Sequence, residues 1–210
     1  NTAAALERAG DLLTDSMVQA YKEPMEVKEL KPVSITTEKQ VTGTILKGAV
    51  SANDLFSMAY KGMDADGIPG LTLVKVYMSG ADLRALCEAD LNLDRTDGNA
   101  LHFGRMRYEY STHRPQYDQV IDVYTEEADG YYVAATMKAV YPVITTKEVL
   151  ELIPELMASS QGQLTCNIYD ADGNIVTDYD AMAIRDSNGV AVKQWSAISE
   201  YISHFQRSES

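Results

Sequence analysis

The sequence is short of several things, and each shortage closes off a class of function. Two cysteines in 210 residues are too few for a disulfide framework; Cys87 and Cys166 could pair if the chain is exported. Three histidines, His102, His113 and His204, are widely spaced, and no two stand at metal-ligand spacing on a helix. A two-metal hydrolase centre needs a dense set of His and Asp ligands, so no metal site is expected in this chain. No serine or cysteine occupies a nucleophile-elbow context, so the chain by itself is expected to be catalytically silent. There is no long apolar run, which excludes a membrane-spanning helix. No signal peptide is visible, and the abrupt start NTAAALERAG reads as a cut piece or a mature terminus. Basic residues are in the minority, 18 Lys and Arg against 31 Asp and Glu. The resulting formal charge of −13 argues against nucleic acid as a partner.

What is present suits a folded domain. A chain of this length can bury roughly 70% of its unfolded surface. The 13 tyrosines outnumber the 3 phenylalanines, which fits a β-rich core with wet edges. LTLVKVYMSGADLRALCE, from Leu71 to Glu88, alternates in its first half, breaks at Ser79-Gly80, and turns helical with Asp82 in the first turn. This predicts strand, tight turn, helix. A phosphate-cradling loop needs several glycines; with one, the turn reads as a packing joint.

Other elements follow from the same rules. Leu6 to Tyr21 carries an apolar helical stripe that ends before Pro24. Lys31 to Leu46 reads as extended. KGAVSANDL is a turn into a short helix, with Ser51 and Asp54 as a variant capping box. Leu101 to Tyr110 reads as one strand, with Arg105 and Arg107 on one face and Met106, Tyr108 and Tyr110 on the other. Val120–Tyr124 and Tyr131–Thr136 are two more strands. Thr146–Ser159 is helical, kinked or restarted at Pro154. WSAISEYISHF is a final helix. DADG occurs twice, at Asp64–Gly67 and Asp170–Gly173; its glycine is misplaced for a calcium loop, so both read as turns. Mixed helices and strands without strict βαβ alternation predict an α+β fold, with a mixed, mostly antiparallel sheet and packed helices, in a single domain over 1–210.

In order along the chain, these pieces resemble the C-terminal domain of the 5′-nucleotidase family, which includes UDP-sugar hydrolases and cyclic-nucleotide phosphodiesterases. AGDLLTDSM is similar to the family's Gly-Asn-Leu followed by Asp, a small residue and Met, here Gly10, Asp11, Leu12, Asp15, Ser16 and Met17. KGAVSANDLFSMAYKG resembles its Lys-Gly, turn, short helix and Pro-Phe-Gly-Asn. VKVYMSGADLRALCE resembles its strand, Thr-Gly and helix ending in Leu-Glu. MRYEYSTHRPQYDQV resembles the strand before an Arg/Lys-Pro turn, and GYYVAATMKAV the Tyr-x-Val-x-Thr strand. The likeness spans roughly Gly10 to Val140.

The resemblance implies a division of labour. An N-terminal metallophosphoesterase domain of the same polypeptide would hold divalent metals and do the chemistry. The C-terminal domain would bind the nucleotide or related phosphate ester, with aromatics around the base and arginines on the phosphate. It also implies an extracellular, periplasmic or cell-surface location. Carried onto this chain, the candidate binding residues are Tyr60, Lys61, Thr42, Arg105 and Arg107. The departures are specific. Tyr60 stands where the family has its first stacking Phe, and Ala59 and Gly62 replace Pro and Asn. The Gly-Gly-Ile-Arg run falls near Lys39, Gln40, Val41 and Thr42, so threonine replaces arginine. KAVYPVITTKEV stands where the Gly-Gly-Asp-Gly-Phe loop would follow. Two readings result: a substrate-recognition domain of a 5′-nucleotidase-like phosphoesterase, or a non-catalytic binding module on the same fold.

Overall fold

The alternation of LTLVKVYMS is matched by a layer on each side of a sheet. The computed structural model describes residues 2–21, 30–41, 50–64, 66–93, 98–127 and 130–207, with side chains from 9 to 204. Within them lie helices α1 (Thr2–Ala20), α2 (Ala52–Ala59), α3 (Gly80–Leu91), α4 (Lys147–Ser159) and α5 (Gln194–Arg207). The strands are β1 (Val33–Thr37), β2 (Leu73–Ser79), β3 (Leu101–Gly104), β4 (Met106–Tyr110), β5 (Val120–Glu126), β6 (Tyr132–Ala134) and β7 (Val140–Thr146).

The larger sheet runs β2-β7-β1-β3. Its β2–β7 and β1–β3 pairs are antiparallel and β1–β7 is parallel. Val74, Val76 and Met78 face one apolar cluster with Leu83 and Leu86 of α3, and Leu73 faces another with Leu13 of α1 and Ile198 of α5. Both faces are therefore covered, which is why β1 is buried along its whole length and β7 beyond its first residue. A second sheet, β4-β5-β6, is antiparallel throughout. The architecture is α+β, with a mixed, mostly antiparallel main sheet.

Both short-range helix starts read in the sequence are real capping boxes, Ser51 with Asp54 and Ser79 with Asp82. The Ser79-Gly80 turn is a joint. Gly80 N–H donates to Ala139 O at 3.0 Å and Ala81 N–H to Met137 O at 3.0 Å, while Asp82 N–H donates to Ser79 Oγ at 3.1 Å. These first-turn amides are occupied by the chain itself. A Cβ on Gly80 would stand 2.4 Å from Thr136 O, so the residue must be glycine for the two segments to meet.

Some expectations are corrected. The extended reading of Lys31–Leu46 shrinks to β1, after which Glu38–Gln40 form a 3-10 turn; residues 42–49 lie outside the described segments. The single strand expected from Leu101 to Tyr110 is two strands in two sheets. They part at Arg105, whose φ of 54° is left-handed, an uncommon conformation for a residue other than glycine. Pro154 lies inside one continuous α4. The Tyr-x-Val-x-Thr spacing is met at Tyr141, Val143 and Thr145, whereas in GYYVAATMKAV Ala135 stands at the threonine position and Thr136 follows one residue later. The 141–145 stretch lies in the interior strand β7, whereas β6 is three residues long and partly exposed.

Candidate functional site

At the end of β1 the chain turns sharply, and a cavity of about 300 Å³ opens beside the turn. Glu38 N–H donates to Ala100 O and Lys39 N–H to Gly98 O, both at 3.0 Å, which pins the turn to the segment ahead of β3. Gln40, 5% exposed, is locked below it. Its Oε1 accepts from Thr36 Oγ1 at 2.6 Å and from Gln194 Nε2 at 3.0 Å, and its Nε2 donates to Thr146 Oγ1 at 2.8 Å. This buried, paired network makes the floor rigid.

Lys61 enters from the exit of α2. Gly62, with φ of 86°, redirects the chain there, and Leu71 packs where its Cβ would be. Gly70 N–H closes the loop on Gly62 O at 2.9 Å. The far wall is Glu148, in the first turn of α4, where a negative charge suits the helix dipole. Glu148 Oε2 is buried and has no hydrogen-bond partner. Burial pushes this carboxyl above its usual range, outweighing hydrogen bonds from its own backbone and from Thr146, and the nearby Asp64 and Glu151 charges push it the same way as burial. Thr37, Lys39, Asn99 and Leu152 complete the lining. Lys39, Lys61, Asn99, Thr37 and Glu148 thus line one small space. It can hold an anion while offering hydrogen bonds to neutral hydroxyl groups.

The residues expected to bind substrate are distributed unevenly. Lys61 lines this cavity. Thr42 lies outside the described residues. Tyr60 is the C-cap of α2 and is 46% exposed; its ring stacks on Phe56 with centroids 5.6 Å apart, and Phe56 meets Trp195 edge-on at 5.4 Å. Arg105 pairs with Glu126 at 3.9 Å. Arg107 lies over the Tyr132 ring at 4.3 Å and the Tyr124 ring at 5.6 Å. The two arginines do not share one face of one strand, because the left-handed turn at Arg105 separates them. Arg107 lines a different cavity, with Asp11, Glu38, His102 and Tyr108.

Two further features escaped the sequence reading. Lys193, 2% exposed, donates to Asp64 Oδ2 at 2.9 Å, Asp66 Oδ1 at 3.0 Å and Thr72 Oγ1 at 3.0 Å. The first DADG segment is therefore a loop clamped by a buried lysine. The second is a turn, with Asp170 Oδ1 accepting from Asp172 N–H at 2.9 Å and Asn174 N–H at 2.8 Å. Helix α3 carries three buried acids, Asp82, Glu88 and Asp90, each pinning a different segment through backbone amides. An acid at a buried helical phase, as in LCEADL, is the one signal that could have marked them. Among the described residues, no group of three or more His, Cys, Asp or Glu is placed to hold a metal ion, and no helix is long and apolar enough to cross a membrane.

Residues 3–150 match the family described as 5′-nucleotidase, C-terminal domain. The fold resembles that of the 5′-nucleotidase precursor from Thermus thermophilus (TM-score 0.62, 18% identity), over 93% of this chain and 32% of that one. It also resembles the NAD nucleotidase NadN from Haemophilus influenzae (TM-score 0.56, 15% identity), over 95% of this chain and 30% of that one. The chain thus spans about a third of the length of these solved relatives. No curated protein sequence matches it.

Proposed function

Since the chain belongs to the 5′-nucleotidase C-terminal domain family, we propose that it is the substrate-recognition part of a two-domain, metal-dependent phosphoesterase. The N-terminal metallophosphoesterase domain of the same polypeptide would hold the divalent metals and break the phosphate ester. The relatives' greater length supports this reading. An extracellular, periplasmic or surface location is part of it, supported by a relative that is a precursor. No catalytic residue is assigned to this chain.

The observation that carries the proposal is the cavity lined by Lys39 and Lys61 together with Thr37, Asn99 and Glu148. Lys61 would hold the anionic end of the substrate. Contacts away from the scissile bond then orient it for the metal domain.

The test uses the natural full-length protein. Lys61→Ala should raise KM for phosphate-ester hydrolysis about tenfold and leave kcat unchanged, the signature of lost uniform binding. An unchanged KM overturns the assignment of this cavity. One observation favours a second reading, a non-catalytic binding module: Arg105 is engaged by Glu126, and Arg107 lies over two tyrosines, away from the cavity. In that case the full-length protein releases no phosphate from any ester.

A further inference from the structure

We infer that the apolar surface formed by Tyr60, Met63, Ile68 and Pro69, and backed by Phe56 and Trp195, is the seat of the catalytic domain. The inference rests on the proposed two-domain reading and names the surface through which the domains meet.

Three observations carry it. First, large apolar side chains gather here in the open. Tyr60 is 46% exposed, Met63 64% and Ile68 38%. Such a cluster marks an interaction surface, and Tyr, Trp and Met are enriched at interface centres. Its members touch one another in a chain. The Tyr60 ring lies on Phe56, and Phe56 meets Trp195 edge-on. Trp195 Nε1 donates to Pro69 O at 3.0 Å, and Met63 bridges to Pro69 across the loop.

Second, this surface is held in shape by the domain itself. Gly70 N–H donates to Gly62 O at 2.9 Å, and Ile68 N–H to Asp66 Oδ1 at 2.9 Å. Buried Lys193 grips Asp64 and Asp66. Gly70 admits the indole, since a Cβ there would stand 2.5 Å from Trp195 Cδ1. A preformed surface is bound without the cost of ordering a loop.

Third, the substrate lysine sits within it. Lys61 follows Tyr60 and precedes Met63 by two residues, and it lines the cavity. A phosphate ester held by Lys61 is cut only if the metals of the other domain reach it. That domain must therefore come to the cavity's edge, where the side chains at 60, 63 and 68 are the apolar groups it meets. The chain spans about a third of its solved relatives, and the remainder is ample for such a domain.

The experiment uses the natural full-length protein and first reads the surface without reference to activity. Among the described residues Met63 is the exposed methionine, and Met157 and Met182 are half-buried. In dilute hydrogen peroxide, exposure alone would make Met63 the fastest to oxidise. Covered by the catalytic domain, it should oxidise more slowly than Met157 and Met182 at every protein concentration, as read by peptide mass spectrometry. Met63 oxidising fastest overturns the inference. So does protection that is lost on dilution, which would put a second copy of the chain on the surface. Met63→Glu and Ile68→Glu change exposed side chains, so the fold should survive. Each should lower kcat about tenfold with KM unchanged, because the domains no longer meet over bound substrate; an unchanged kcat in both overturns the inference as well. Lys61→Ala separates this from the cavity assignment. If it leaves KM unchanged while Met63 stays protected, the cavity assignment falls and the domain contact stands. If it raises KM while Met63 oxidises fastest, the cavity stands and the domain contact falls.

Discussion

The Lys193 ammonium lies 2.9 Å from the Asp64 carboxylate, with 3% of the lysine side chain and 18% of the aspartate exposed. The two residues are 129 positions apart, so the contact ties the loop after α2 to the start of α5. Thr72 donates to the same Asp64 oxygen through its backbone N–H at 2.7 Å and through its hydroxyl. Removing one partner of a buried pair costs roughly 3–5 kcal/mol, because the other charge is stranded. Lys193→Ala is therefore expected to lose stability of that order in urea unfolding. A loss under about 1 kcal/mol would show that the pair behaves as an exposed one.

The same contact sets an acid response. Burial alone would raise the Asp64 carboxyl, but hydrogen bonds from Thr72 and Lys193 outweigh it and hold the group below its usual value of 3.8. A depressed folded value stabilises the protein above the unfolded pKa and ceases to do so as pH falls through the folded one. Below about pH 4 the wild type should lose stability that Asp64→Asn has already lost at neutral pH. Thermal melts of the two proteins should converge as the pH drops; a constant gap would contradict the assignment.

Glu148 has the opposite sign. Its folded pKa is raised above 4.5, so its contribution is favourable below the unfolded value and is lost as pH rises through the folded one. Glu148→Gln keeps the shape and removes the charge. The variant should melt higher than wild type at pH 7, and the difference should shrink toward pH 4. A variant that melts lower than wild type at pH 7 would mean that the hydrogen bonds from Thr146 and the Glu148 backbone outweigh the cost of burying the charge.

Sequence and structure agree where the determinants are local. The β2-turn-α3 unit was legible because alternation, one glycine and the Ser79–Asp82 pair all lie within one short stretch. The break at Arg105 was not read, although Gly104 stands beside it and the apolar phase shifts from Leu101 and Phe103 to Met106, Tyr108 and Tyr110. Lys61 was found as a candidate through the run ending α2. Glu148 was not among those candidates, because its place in the cavity lining depends on β1, the end of α2 and α4 meeting, which no spacing in the sequence encodes. Lys193 was missed for the same reason, its partners being far away in the chain.

Tyr60 links the fold and the site. A stacked aromatic pair contributes about 0.5–1.5 kcal/mol beyond area burial, and the Tyr60 ring is stacked on Phe56. Tyr60→Ala should lower stability by that order and change the KM of the full-length protein for its phosphate ester by less than about twofold. A tenfold loss of affinity, about 1.4 kcal/mol, would put the ring on the ligand.

Gly80 tests the joint between β2 and α3. Its Cβ would meet Thr136 O at 2.4 Å, Thr136 C at 2.9 Å and Met137 Cα at 3.0 Å, all backbone atoms, so no side-chain rotation relieves the contact. Gly80→Ala must push the 136–139 segment from the start of α3, breaking the bonds from Gly80 and Ala81 to Ala139 and Met137. Overpacking of this kind costs about 1–3 kcal/mol, more than the gain in helix propensity of about 1 kcal/mol from replacing glycine by alanine. The variant should therefore be destabilised, with faster amide exchange at residues 80 and 81. Were it more stable than wild type, propensity would have won, and the segment would be free to move away from the helix.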